Sequence, residues 1–163
     1  MGDILFLMKK LSWDDVEKMT NDLADTIQAS GFVPDYCIGI TTGGLIPLYF
    51  LAKKLDVENI LTVSATSYTR ETKGDLHITY LPEVDLRGKK LLIVDEIAET
   101  GDTLKKVSQA ITEKYMPDSI KTVTLVINTK KCTTRPDFYG KEDASEWLLF
   151  PWEKHDFPEY FER

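Results

Sequence analysis

The chain has 163 residues, enough for one domain with a substantial core and too few for two ordinary ones. Apolar residues make up 42% and charged residues 29%, which excludes the disordered class, and a net charge of −7 disfavours a general coat for nucleic acid. Two cysteines (Cys37, Cys132) and two histidines (His77, His155) at no ligand-like spacing suggest neither a zinc site nor a disulfide framework.

In chain order, Ser12 precedes Val16, Met19, Leu23 and Ile27, which recur at helical spacing, and Asp15 stands where a carboxylate helps to cap. The spacing predicts a helix over Ser12 to Ala29, stopped by Gly31. Tyr36 to Thr41 reads as a strand, Thr42-Gly43-Gly44 as a tight turn and Leu45 to Leu55 as a helix. That apolar helix is interrupted by Pro47 and falls short of the roughly 20 residues that cross a bilayer. The amino terminus has an acidic Asp3 before its apolar stretch and Lys9 and Lys10 after it, the reverse of a secretory signal, so a cytoplasmic protein without membrane contact is expected.

Ile60 to Ser67 is a second strand, after which Thr69 to Asp75 reads as an exposed loop and His77 to Tyr80 as a short returning strand. Lys90 to Asp95 carries the strongest strand signal, the continuous run Leu-Leu-Ile-Val of a strand covered on both faces. A helix from Thr103 to Tyr115 and a strand over Lys121 to Ile127 follow. Strands alternating with helices predict an α/β domain with a mainly parallel sheet. The last segment, Asn128 to Arg163, is rich in proline and aromatics, shows no convincing helix, and is expected to cap the sheet.

Chemistry concentrates after the strongest strand. In open α/β sheets ligands bind beyond the carboxyl ends of the strands, where Asp95 and Glu96 fall. Next, Thr100, Gly101, Asp102 and Thr103 form a small-residue turn opening a helix, where backbone N–H groups and the helix dipole favour a phosphate. Neither a P-loop nor a Gly-x-Gly-x-x-Gly dinucleotide loop is present.

The run Asp95-Glu96-Ile97-Ala98-Glu99-Thr100-Gly101-Asp102-Thr103, following its apolar strand, resembles the phosphoribosyl pyrophosphate (PRPP) motif of type I phosphoribosyltransferases. Thr42-Gly43-Gly44 is similar to the pyrophosphate loop of that family, although the related branch usually carries Arg or Lys where Thr42 stands. Ser67-Tyr68, with Arg70 and Lys73, resembles the opening of its flexible catalytic loop. Glu146-Trp-Leu-Leu-Phe-Pro-Trp-Glu153 resembles the carboxy-terminal hood of the xanthine-guanine branch, with Trp147 at the position that stacks on the purine and Leu148 beside it. A lysine of that branch donates to the purine 6-oxo group; the register leaves Asn128, Lys130 and Lys131 open, and Lys130 is chosen.

The resemblance implies one type I phosphoribosyltransferase domain over 1–163, with a core near 12–127 and a small hood over 128–163. It implies transfer of the phosphoribosyl group from PRPP to a 6-oxopurine, with Mg²⁺ contacted by Glu96 and a homodimer or homotetramer as the assembly. Asp95 and Glu96 would face the ribose hydroxyls, Glu99 would serve the purine N7, and residues 100–103 would hold the 5′-phosphate. The alternatives are a PRPP-binding regulator on the same fold, adenine salvage, and a receiver-like signalling domain.

Overall fold

The computed structural model describes residues 8–67 and 76–162. The first strand, β1 (Met8–Lys10), leads into α1 (Trp13–Ala29). Ser12 is the cap of α1: its hydroxyl accepts from the Asp15 N–H at 3.1 Å, and the Asp15 carboxylate accepts from the Ser12 N–H at 2.8 Å. This reciprocal box satisfies two amides that the helix start would otherwise leave open. β2 (Tyr36–Thr41), α2 (Leu45–Lys54), β3 (Ile60–Ser67) and β4 (Leu76–Tyr80) follow, then β5 (Lys90–Ala98), α3 (Asp102–Tyr115) and β6 (Ser119–Asn128).

β5 continues to Ala98, three residues beyond its expected end at Asp95, because Ile97 and Ala98 pair with Val126 and Ile127 of β6. Asp95 and Glu96 therefore lie within a paired strand, whose ladder fixes their backbone. The last segment does more than cap: Phe138–Asp143 forms β7, an edge strand parallel to β6. Its Tyr-Gly-Lys-Glu-Asp sequence lacks the alternation that marks a half-buried strand, as suits an edge. β8 (Trp147–Leu149) pairs in parallel with β1, and two short 3₁₀ turns, Pro151–His155 and Pro158–Tyr160, complete the described chain.

The six-stranded sheet runs in the order β4-β3-β2-β5-β6-β7, parallel throughout except for the β3–β4 pair. Leu92 and Val94 pack with α1 and α2 on one face, and Leu91 and Ile93 pack with α3 on the other. All four are fully buried, as the unalternated run requires. From the neighbours β2 and β5 the chain departs in opposite directions: α2 carries it to β3, and α3 carries it across the other face to β6. Diverging connections leave a crevice outside the carboxyl ends of β2 and β5, the topological switch point at which open α/β sheets take ligands.

Candidate active site

Asp95 and Glu96 stand in this crevice. The Glu96 N–H donates to Asp95 Oδ1 at 2.8 Å, and Glu96 Oε2 accepts from the Trp152 indole at 3.0 Å. Burial pushes the Asp95 carboxyl up to about 7 against a smaller opposing effect of the Glu96 N–H. Glu96 is also pushed up to about 7, first by burial and then by the neighbouring Asp95 charge, while the Trp152 hydrogen bond works the other way. Among the described residues no lysine or arginine forms a salt bridge with either acid. The pair is an under-compensated negative centre suited to a cationic partner.

The turn after β2 faces these acids. A methyl group on Gly43 would stand 2.5 Å from the Glu96 carboxyl carbon, so only glycine allows the carboxylate to lie on this backbone. The Gly44 N–H is donated to the Ile40 carbonyl at 2.9 Å, so the glycine pair does not offer two open amides to a diphosphate. Thr42 is exposed at the rim.

Beyond β5, Glu99 forms an ion pair with Lys131 at 3.1 Å. Gly101 adopts a left-handed φ of 89° as the N-cap of α3 and has no side chain to cap it; the Asp102 N–H is donated to the Thr100 hydroxyl at 3.2 Å, which leaves the later first-turn amides for an anion. Ile97, Ala98, Glu99, Thr100, Gly101 and Thr103 line a cavity of about 260 Å³ at this helix start. Asp102 points outward as an exposed residue. The turn is braced from behind: the Thr100 carbonyl accepts from the Thr133 and Thr134 N–H groups at 3.0 and 3.2 Å.

A second cavity of about 140 Å³ lies between the sheet edge and the hood, lined by Glu96, Ile97, Glu99, Asn128, Trp147 and Leu148 among others. Trp147 keeps 37% of its surface exposed while Phe157 and Tyr160 meet its ring edge-on at 5.1 and 5.6 Å. Its ring is thus set by the carboxy-terminal turns. Lys130 does not line this cavity and lies 3.7 Å from Glu146, whereas buried Asn128 does line it. Asn128 Oδ1 accepts from the Lys130 and Lys131 N–H groups at 3.0 and 3.1 Å, turning the chain as β6 ends.

Asp143 forms part of the same wall. Burial would raise its carboxyl, but hydrogen bonds from Ser145 and Lys9 outweigh that and bring it down to about 2. It ties β1, β7 and the hood together. For Ser67 only the backbone position at the end of β3 is described, and Tyr68, Arg70 and Lys73 lie outside the described residues.

The structure therefore brings the acid pair, Glu99, the phosphate-type turn and the Trp147 hood to one sheet edge. The buried wall formed by Asn128, the Thr133–Thr134 brace and the Trp152 hydrogen bond carry no motif in the sequence. The local signal for the last is a Pro-Trp-Glu run at the hood.

Residues 11–157 match the phosphoribosyl transferase domain. The chain belongs to that family. Its curated relatives include the xanthine-guanine phosphoribosyltransferases of Cereibacter sphaeroides, 29% identical over 88% of this chain and 85% of the relative, and of Chromohalobacter salexigens, 30% identical over 88% and 82%. A purine phosphoribosyltransferase from Pyrococcus horikoshii superimposes with a TM-score of 0.78 at 29% identity, covering 89% of this chain and 93% of that one. The xanthine-guanine-hypoxanthine phosphoribosyltransferase of Helicobacter pylori shares the fold with a TM-score of 0.82, covering 96% and 99% at 24% identity. The acid pair and turn thus lie within a phosphoribosyl transferase domain.

Proposed function

We propose that this phosphoribosyltransferase salvages purines, transferring the phosphoribosyl group of PRPP to guanine, xanthine or hypoxanthine and releasing pyrophosphate. The observation that carries the reading is the cavity joining Glu96 and Glu99 to the exposed Trp147 ring. The names of the relatives support the same substrate class.

In the proposed reaction the bond from the anomeric carbon to pyrophosphate lengthens first and positive charge develops on the ribose ring, as in glycosyl transfer. Asp95 and Glu96 place negative potential beneath that ring, which favours the transition state over the ground state. The turn 100–103 holds the 5′-phosphate with its amides and threonine hydroxyls. Thr42 and Gly43 border the pyrophosphate. Glu99 takes or shares the proton at purine N7 as N9 bonds to carbon. Trp147 covers the base, the backbone near Leu148 meets its edge, and the 6-oxo donor comes from the Lys130–Lys131 turn, in which Lys131 already reaches Glu99.

Mg²⁺ fits the same acids: hard carboxylate oxygens without a lysine or arginine partner among the described residues suit an ion that keeps several waters and touches protein through one or two carboxylates. Glu96, with Asp95 beside it, would hold it, and it would offset pyrophosphate charge. Among the described residues no helix is long and apolar enough to cross a membrane. The reading includes a cytoplasmic homodimer or homotetramer.

The test is a panel of free bases incubated with PRPP and Mg²⁺, scored for nucleoside monophosphate and pyrophosphate. The 6-oxopurines are expected to react and adenine to be poor. PRPP binding without product from any base would establish a regulator instead. In the same assay Trp147→Ala should raise the KM for base about ten-fold while that for PRPP stays within a factor of two, because the base loses its stacking face. An unchanged base KM would remove Trp147 from the base site.

A further inference from the structure

Trp152 does not line the cavity beside the hood, yet it reaches the centre of the site from behind. Its ring stacks on Phe150 with centroids 4.8 Å apart and planes 13° from parallel, and the Trp13 ring lies 5.9 Å away. Phe150 is itself in the core under α1 and α2, 2% exposed. The turn that presents Trp152 is closed by Glu153, whose carboxylate accepts from the Phe150 N–H at 2.8 Å. An indole has one donor and no acceptor, so once the ring is locked the direction of its hydrogen bond is set by the core.

That bond goes to Glu96, 56 residues away in sequence. On its other side the same carboxylate lies against Gly43, where even a methyl group would overlap it. A glutamate side chain has several rotatable bonds and needs such restraints to keep one geometry. We propose that Trp152 is a positioning residue, whose indole N–H fixes the Glu96 carboxylate against the Gly43 turn so that the acid pair is set before substrate arrives. This rests on the phosphoribosyl-transfer reading above. The hood then has two parts with separate tasks: Trp147 meets the base, and Trp152 holds the acid that faces the sugar.

Trp152→Phe keeps an aromatic ring for the Phe150 stack and removes the donor together with part of the ring's volume. Loss of a hydrogen bond to a carboxylate should lower kcat about ten-fold, with the KM for base within a factor of two. In a Glu96→Ala background, where the acceptor is gone, the same substitution should change kcat less than about two-fold, since coupled residues are non-additive. A merely structural role for the indole predicts the same factor in both backgrounds and overturns the inference.

The bond also has a readout apart from turnover. The Trp152 indole ¹⁵N–¹H resonance, assigned with Trp13→Phe and Trp147→Phe should Trp152→Phe fail to fold, is expected to exchange slowly with solvent and to move when Glu96 becomes alanine. A resonance indifferent to Glu96→Ala overturns the inference by itself. Were wild type to make no nucleotide from any base, the functional reading would fail while this resonance still decided whether Trp152 holds Glu96.

Discussion

Glu96→Gln is expected to melt about 5 °C above the wild-type protein at pH 8, to melt with it near pH 4, and to lose at least about ten-fold of turnover. The gain and the loss have one origin. Burial and the Asp95 charge raise the Glu96 carboxyl from its usual 4.5 to about 7, and Asp95 rises from 3.8 to about 7 beside it. A folded state that holds protons more tightly than the unfolded chain is favoured at low pH. The contribution of these acids is therefore fully present below about pH 4 and is lost as pH rises through about 7. At pH 8 both carboxylates are charged in a poorly solvated crevice, at a cost of the order of 3 kcal/mol for Glu96.

Glutamine keeps the shape and an oxygen acceptor for Trp152 while removing the charge, and it relieves Asp95 as well. At about 2–4 °C per kcal/mol for a chain of this size, part of that relief suffices for the expected shift. The same charge is what a developing ribosyl cation needs, so the variant should bind substrates yet turn over slowly. Calorimetric melting at pH 4 and pH 8 checks the stability half. A variant that gains nothing at pH 8 would mean that the acids are not strained in the free protein, and wild-type turnover would remove Glu96 from the reaction.

Local physics makes much of this edge legible in the sequence. The Ser12–Asp15 box, the unalternated Leu-Leu-Ile-Val of β5 and the small residues from Thr100 to Thr103 are each decided within a few residues of chain, and each sits where periodicity and turn chemistry put it. What stayed hidden depends on partners distant in sequence. The extension of β5 past Asp95 needs β6 beside it, and polar β7 is a strand only because β6 offers an edge. β1 and β8 are three-residue strands with no periodic signal of their own. Asn128 gives no sequence sign of being buried, because its role is to bond two amides of the turn it begins. Trp152 reads as one more hood aromatic until the fold brings Glu96 beneath it.

Gly101→Ala should cause the largest loss of stability of any single methyl addition in the site, about 10 °C or more in melting temperature, together with loss of PRPP-dependent activity. Two costs combine. An alanine at a φ of 89° is strained by roughly 1–2 kcal/mol. Its methyl would also stand 1.8 Å from the Thr134 carbonyl oxygen, which is backbone and cannot rotate away. Relief requires the Thr133–Thr134 segment to withdraw, breaking both of its hydrogen bonds to the Thr100 carbonyl at about 1 kcal/mol each. The turn proposed to hold the 5′-phosphate loses its brace in the same movement, so the KM for PRPP should rise before turnover disappears. Gly31→Ala separates the two costs. Gly31 has a similar φ of 79°, but none of the described residues lies within 4 Å of an added methyl, and it sits after α1, outside the site cavities. That variant should melt only a few degrees lower with wild-type kinetics. Equal losses in the two variants would show that backbone strain alone sets the demand for glycine, and that the close approach of Thr134 contributes nothing to the phosphate turn.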